Sequence, residues 1–161
     1  MRERSNRKVD ELRSFWKNYI LQSLLATLTI FIVLLLLSME HAVVIASIGA
    51  TSFIVFAMPK SITARPRNVI GGHMVGLISG SLFSLIPSHS FLFSITLYSL
   101  AVGLSIFMMV VTDTEHPPAA GTALGVVVQG FSLNVAFAVI TSSLILSAVH
   151  HILRPVLRDL T

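Results

Sequence analysis

The sequence predicts an all-α membrane protein, a compact bundle of about six transmembrane segments of which one or two are short or half helices. Of its 161 residues, 54% are hydrophobic and 11% are charged, against about 25% charged in an average soluble domain. The apolar residues also run in long stretches, and prolines and small clusters of Lys and Arg separate these stretches. This pattern is typical of a chain that uses lipid as its solvent.

Six apolar segments are candidates to cross the bilayer. A helix needs about 20 apolar residues to cross a hydrocarbon core of about 30 Å. The first segment starts beside Trp16, an aromatic residue that favours the headgroup level, and the second ends before Pro59. The fifth, PPAAGTALGVVVQG, is short and predicts a short or half helix. The six ranges are 19–38, 42–58, 69–87, 91–111, 117–130 and 132–153.

These segments divide the chain into three parts. Residues 1–17 are charged and carry Val9, Leu12 and Trp16 at helical spacing, which predicts a cytoplasmic amphipathic segment on the membrane surface. We expect the transmembrane domain over 18–154 and a cytoplasmic C-terminal tail over 155–161.

The basic residues predict the orientation. With the N-terminus inside, six crossings place all eleven Lys and Arg on the cytoplasmic side, as the positive-inside rule requires. Five crossings would place Arg154 and Arg158 outside. We therefore expect an integral protein, most simply of a prokaryotic inner membrane, with both termini cytoplasmic.

Composition argues against several other classes of protein. The basic clusters flank apolar segments and form no single basic face, so we expect no nucleic-acid partner. The chain has no cysteine, which excludes disulfides and thiolate metal sites. HExxH and similar spacings are also missing, so we predict neither a metal nor a cofactor.

The two halves of the chain share short matches. LTIF at 28–31 and EH at 40–41 return as LSIF at 104–107 and EH at 115–116, at offsets of 76 and 75. Three crossings per half would give the 3+3 inverted repeat found in many secondary transporters. Two matches this short also arise by chance, and both explanations stay open.

The densest polar cluster is the run Thr112–Pro118, TDTEHPP. We expect a helix to begin at Pro117, with His116 in extended geometry before it. Alternation would place Thr112, Thr114 and His116 on one side and the two carboxylates on the other. Together with free N–H groups at the helix start, these residues and Pro118 predict an anion site. The alternative is that the prolines only cap helices.

A second polar cluster begins at Pro66, where another helix is expected to start. Arg67 and Asn68 follow at the cytoplasmic side, and Arg offers a fork of donors suited to oxyanions. Gly71, Gly72 and His73 come next, and a histidine within the membrane is a candidate functional residue, although a carbonyl partner would also explain it. We take His150 and His151, by contrast, as anchors at the membrane interface.

Small residues recur at every fourth position of the third segment: Gly72, Gly76, Gly80 and Ser84. Gly121 and Gly125 repeat the spacing in the fifth. Such faces let helices pack closely, so we expect them at contacts between the halves or between subunits. We expect a homo-oligomer, with a dimer as the simplest form.

The runs IGATSFIVFAMPKSITARPRNVIGGH (48–73) and TDTEHPPAAGTALG (112–125) resemble the signature segments of the HPP family of integral membrane proteins. The resemblance covers 19–153. It implies transport of a small anion, because plastid and cyanobacterial members are linked to nitrite. It also implies the four spans usual in descriptions of the family, whereas the basic residues favour six.

Our leading hypothesis is therefore transport of a small inorganic anion, nitrite by resemblance, by a protein that is not an enzyme. The substrate-binding candidates are Arg67, Asn68, Gly71, Gly72, His73, Thr112, Thr114, His116, Pro117 and Pro118. Three alternatives remain: a channel for another monovalent anion, an intramembrane enzyme built on Asp113, Glu115 and His116, and an assembly subunit without transport.

Overall fold

The computed structural model describes the backbone of residues 2–36 and 42–161, and the side chains of 14–35 and 46–161. Within these ranges the chain is helical, with short connections. A single turn of 3-10 helix, Ile62–Ala64, precedes α3. The six α-helices are α1 Arg2–Leu36, α2 Ala42–Ala57, α3 Pro66–Ser84, α4 Phe91–Val111, α5 Pro118–Gln129 and α6 Leu133–Leu153. The predicted all-α bundle of six segments is confirmed.

Helix α1 joins the N-terminal segment to the first span. Its backbone leaves helical geometry at Phe15 (φ −120°, ψ 16°), which kinks the helix where the charged residues give way to apolar ones. The predicted amphipathic face at Val9 and Leu12 lies outside the described side chains. The N-terminal segment is thus a helical extension of the first span.

Among the residues that the structure describes, three helices are long and apolar enough to cross a bilayer: the Ser14–Leu35 part of α1, Phe91–Val111 and Leu133–Leu153. The other helices are shorter or more polar. α5 has 12 residues, which at about 1.5 Å per residue is roughly 18 Å. It is therefore the short helix that the sequence predicted.

The glycine ladder of α3 packs on α5. A methyl group at Gly76 would collide with the carbonyl oxygen of Ala119, and one at Gly80 would lie 2.6 Å from that of Ala123. The two backbones approach this closely because no side chain separates them. The prediction of a contact between the halves is confirmed for α3. This face of α3 is occupied by a contact within the chain.

The contacts between helices fit the predicted repeat. If α1 is exchanged with α4, α2 with α5 and α3 with α6, each of the main helix pairs in contact maps onto another such pair or onto itself. Ser47 of α2 also meets Thr122 of α5, with 2.8 Å between the hydroxyl oxygens and 75 residues between the two positions. That separation equals the second predicted offset. The inverted repeat stays a prediction. Two equivalent residues would meet in this way at the axis that relates the two halves.

The C-terminal segment does not extend away from the bundle. Leu157 is buried, and the N–H of Leu160 donates to the carbonyl of Ala57 (2.9 Å). Gln22 of α1 is also buried; its amide nitrogen donates to the carbonyl of Arg158 (2.8 Å), and its amide oxygen accepts from the N–H of the same residue (3.1 Å). Residues 155–161 thus close one end of the bundle.

Candidate functional site

The first polar cluster forms a capped turn at the end of α4. Asp113 adopts a left-handed conformation (φ 55°), and its N–H donates to the carbonyl of Val110 (3.3 Å). The N–H of Thr114 donates to the carbonyl of Met109 (2.9 Å). These two bonds make a Schellman cap, with Asp113 in the place usually taken by glycine. The extended geometry expected along this run is therefore wrong for Thr112 and Asp113, because these two residues terminate α4.

This capped turn is attached to the beginning of α3. The guanidinium of Arg67 donates to the carboxylate of Asp113 (2.9 Å) and to the carbonyl of Thr112 (3.1 Å). One turn further in, the amide nitrogen of Asn68 donates to the carbonyl of Glu115 (3.1 Å). The two clusters that the sequence singled out thus form one site at one end of the bundle.

Two glycines allow the linker between α4 and α5, residues 112–117, to lie directly on α3. A methyl group at Gly71 would lie 2.7 Å from the methyl carbon of Thr114, and one at Gly72 would lie 2.6 Å from Cβ of His116. A larger residue at either position would push the linker away. Gly71 and Gly72 therefore set how deeply His116 enters the bundle.

The two histidines meet in the interior and share one threonine. His73 and His116 are both fully buried, with ring centroids 5.0 Å apart. The hydroxyl oxygen of Thr51, on α2, lies 2.8 Å from Nε2 of His73 and 2.9 Å from Nε2 of His116. The remaining ring nitrogen of His116, Nδ1, donates to the carbonyl of Thr63 (2.8 Å).

The hydrogen bonds continue from His73 into the second half of the chain. Its Nδ1 lies 2.8 Å from the hydroxyl of Thr122, which contacts Ser47. The Ser47 hydroxyl donates to the carbonyl of Pro118. Sequence reasoning missed Ser47, Thr51 and Thr122, because hydroxyls in apolar helices usually bond their own helix and carry no signal. The 75-residue offset between Ser47 and Thr122 was the one available clue.

The start of α5 lies where the sequence placed it, but its donors differ from the prediction. The helix spans Pro118–Gln129, and Pro117 before it already has helical dihedral angles (φ −50°, ψ −39°). Neither proline has an N–H. The N–H of Ala119 donates to the carbonyl of His116 (2.8 Å), and that of Ala120 donates to the carbonyl of Pro117 (3.2 Å). The prediction of free N–H groups at this terminus is therefore wrong.

The beginning of α3 does offer free backbone N–H groups. Pro66 is its first residue, and Val69 makes the first bond back, to the carbonyl of Arg65 (2.9 Å). Within the part of the chain that the structure describes, the backbone N–H groups of Arg67 and Asn68 have no hydrogen-bond acceptor.

His150 is a further buried histidine, and its assignment as an interface anchor is wrong. Its Nε2 donates to the carbonyl of Pro59 (2.8 Å), and this bond attaches the end of α6 to the loop after α2. His151, in contrast, is exposed.

A cavity of about 290 Å³ lies beside the linker. It is lined by Glu115, His116 and Pro117, by Ala120 of α5 and by three residues of α4. Among the described residues no group of three or more His, Asp or Glu side chains comes together. The two imidazoles meet at the hydroxyl of Thr51, which lies within hydrogen-bond distance of both Nε2 atoms.

A comparison with known protein families covers most of the chain. The profile of the HPP transmembrane region matches residues 11–158. The chain belongs to the HPP family. Two relatives are transmembrane proteins of Dictyostelium discoideum. One is 37% identical over 106 residues, which cover 62% of this chain and 37% of that protein. The other is 34% identical over 85 residues, which cover 53% and 27%.

This HPP-family chain therefore spans well under half the length of the curated relatives that it matches. No solved structure matches it. The family, the apolar helices and the transmembrane relatives together identify an integral membrane protein.

Proposed function

We propose that this HPP-family protein transports a small inorganic anion across the membrane, and that nitrite is the first candidate. The observation that carries the proposal is the convergence of the two family motifs on one polar site inside an apolar helical bundle. Buried polar groups in a membrane are costly, and they are retained mainly where a polar solute passes or binds.

The preference for an anion comes from the beginning of α3. Arg67 presents five N–H donors, of which the structure uses two, on Asp113 and the carbonyl of Thr112. Its side chain is 64% exposed, so the remaining donors face the end of the bundle. The backbone N–H groups of Arg67 and Asn68 add to them at the positive end of the helix. We place the anion's entry here, instead of at α5.

The other candidate residues take supporting positions in this proposal. Gly71 and Gly72 hold the linker close to α3, while Thr112 and Thr114 share a hydrogen bond (2.8 Å) beside the entry. His73 and His116 lie further inside. Pro117 and Pro118 remove the N–H donors that would otherwise hold the anion at the start of α5, so an anion passes this helix without being trapped.

Three further parts of the proposal concern the whole protein. The end of the bundle that carries Arg67 and the C-terminal segment is assigned to the cytoplasm, because all the Lys and Arg then lie on one side. The membrane is assigned to a prokaryotic cell, and the working form to a homo-oligomer. The α3 ladder is already filled by α5, so self-association must use another face.

Flux measurements on the purified protein test this proposal. Liposomes that contain only this chain should release nitrite at a rate that saturates with concentration, and Arg67→Gln should raise the half-saturating concentration. Lys60→Gln is the matched control, because it removes one positive charge at the same end. Absence of saturable flux for nitrite, nitrate, formate and chloride would reject transport and leave the enzyme and assembly-subunit alternatives.

A further inference from the structure

Five buried side chains form one continuous hydrogen-bonded chain through the site. We call it the histidine–hydroxyl relay; its members, in spatial order, are His116, Thr51, His73, Thr122 and Ser47. It starts at the carbonyl of Thr63 and finishes at the carbonyl of Pro118. The relay thus connects the first half of the chain to the second through three helices and the linker.

The relay has fewer hydrogens than hydrogen-bond contacts. Three hydroxyls and two neutral imidazoles supply five exchangeable hydrogens, whereas six contacts lead from the carbonyl of Thr63 to that of Pro118. The Thr51 hydroxyl also lies 3.1 Å from the carbonyl of Ser47 on its own helix. A carbonyl oxygen only accepts, so hydrogens must point outward at both ends. With neutral rings, at least one of the six contacts lacks its hydrogen, and the Thr51 hydroxyl can donate to Ser47. With one added proton, all six are satisfied when the Thr51 hydroxyl turns from Ser47 to an imidazole.

The added proton has two equivalent positions. If His116 carries it, Nε2 of His116 donates to Thr51 and the Thr51 hydroxyl donates to Nε2 of His73. If His73 carries it, both of these bonds point the other way. Every remaining hydrogen in the relay keeps its place in both states.

We propose that the histidine–hydroxyl relay carries one proton between His116 and His73 through the hydroxyl of Thr51, and that this proton accompanies the transported anion. In the step, the N–H bond of His116 breaks as an O–H bond forms at Thr51. The original O–H bond of Thr51 breaks as an N–H bond forms at His73. The relay keeps one positive charge throughout, and no heavy atom has to exchange partners.

The residues around the relay do not stabilise a permanent positive charge on it. The described part of α2, Ala46–Ala57, and the whole of α5 contain no ionisable side chain, and α4 contains only Tyr98. Arg67 is paired with Asp113 at the surface, Lys60 and Arg65 beside the 3-10 turn are exposed, and His150 of α6 bonds Pro59. A buried charge without a carboxylate partner is costly, so the neutral relay is the resting state.

Glu115 is the carboxylate nearest in sequence to His116. It lines the same cavity as His116 and makes no hydrogen bond to either ring among the described residues. Water at this end of the bundle supplies the proton. An anion that moves with the proton offsets its charge, which gives the coupling a physical reason. The coupling rests on the proposed function, whereas the relay does not.

Nitrogen-15 NMR of histidine-labelled protein in lipid tests the relay directly. His73→Gln and His116→Gln assign the two ring signals. As pH falls, the signals of His73 and His116 should change together in one step for one proton. Thr51→Val should separate them into independent steps, and Thr51→Ser, which keeps the hydroxyl, should preserve the joint step. Thr29→Val is the control, because the buried Thr29 bonds only its own helix. Independent titration in the unmodified protein, or joint titration in Thr51→Val, would overturn the relay.

A second measurement tests the coupling. Liposomes with a pH-sensitive dye inside and a clamped membrane potential should show proton entry that depends on nitrate or chloride. Thr51→Val should reduce this proton flux by about 100-fold, the lower range for positioned proton transfer, and Thr51→Ser should restore it. Anion flux without protons would overturn the coupling and leave the proposed function intact. Without any anion flux the proposed function fails, and the NMR result still decides the relay.

Discussion

The guanidinium of Arg67 lies 2.9 Å from the carboxylate of Asp113, across 46 residues of sequence. The pair joins the beginning of α3 to the cap of α4, and it also neutralises the charge that is proposed to attract the anion. Both side chains are largely exposed. The pair is therefore a modest electrostatic restraint, of about 0.2–1 kcal/mol.

Replacement of Asp113 should consequently strengthen anion binding. Asp113→Asn removes the competing carboxylate, and Asn tolerates the left-handed backbone at this position. The half-saturating anion concentration should fall by up to about fivefold, the equivalent of roughly 1 kcal/mol. Asp159→Asn is the control, because it removes an exposed carboxylate near Lys60 and not near Arg67. An equal gain in both variants would mean that only the overall charge matters.

Gly76 should be intolerant of any side chain. A methyl group there meets the carbonyl of Ala119 and lies 3.3 Å from Cβ of Thr122, so Gly76→Ala should cost about 1–3 kcal/mol of stability and Gly76→Leu should prevent assembly. Thermal unfolding in detergent measures both. Gly103→Ala serves as the comparison: nothing lies within 4 Å of the added methyl group, so that variant should keep or raise stability. A stable Gly76→Leu that has lost only transport would contradict this account.

The buried amide of Gln22 should hold the C-terminal segment in place. Gln22→Leu keeps the volume but removes the bonds to the backbone of Arg158 and to the carbonyl of Phe56. The last residues should then become accessible to carboxypeptidase, with a rate of digestion at least about tenfold higher for a loss of about 1.4 kcal/mol or more. Thr27→Val, an exposed position bonded to its own helix, should leave digestion unchanged. Equal protection in both variants would show that the buried Leu157 and the bond from Leu160 to Ala57 hold the segment without Gln22.

Single cysteines can establish the orientation, since the chain has none of its own. Lys60→Cys and Thr161→Cys should react with an impermeant reagent only after the cells are opened. Ser88→Cys, beyond the far end of α3, should react in intact cells. Labelling of position 161 from outside would reverse the assigned topology.

The sequence predicted the number of helices and most of their boundaries, because apolar length and proline positions are local properties. It also identified His73, His116 and the small residues of α3. It could not predict that Thr51 bridges the two imidazoles, since that contact depends on how α2, α3 and the linker pack. The free N–H groups expected at the start of α5 are missing for a simpler reason. Two adjacent prolines remove the donors, and a tighter first turn uses the next two.

The short length of α5 has a consequence for the energy of a crossing ion. The helix is roughly 18 Å long, and it packs against α2, α3 and α4 in a bilayer whose hydrocarbon is about 30 Å thick. α5 is therefore shorter than α1, α4 and α6, and roughly 12 Å of such a core remains for the segments on either side of it. The linker before α5 and the turn after it must supply the rest of any crossing, so an ion that crosses beside α5 would meet non-helical backbone beyond each end of the helix.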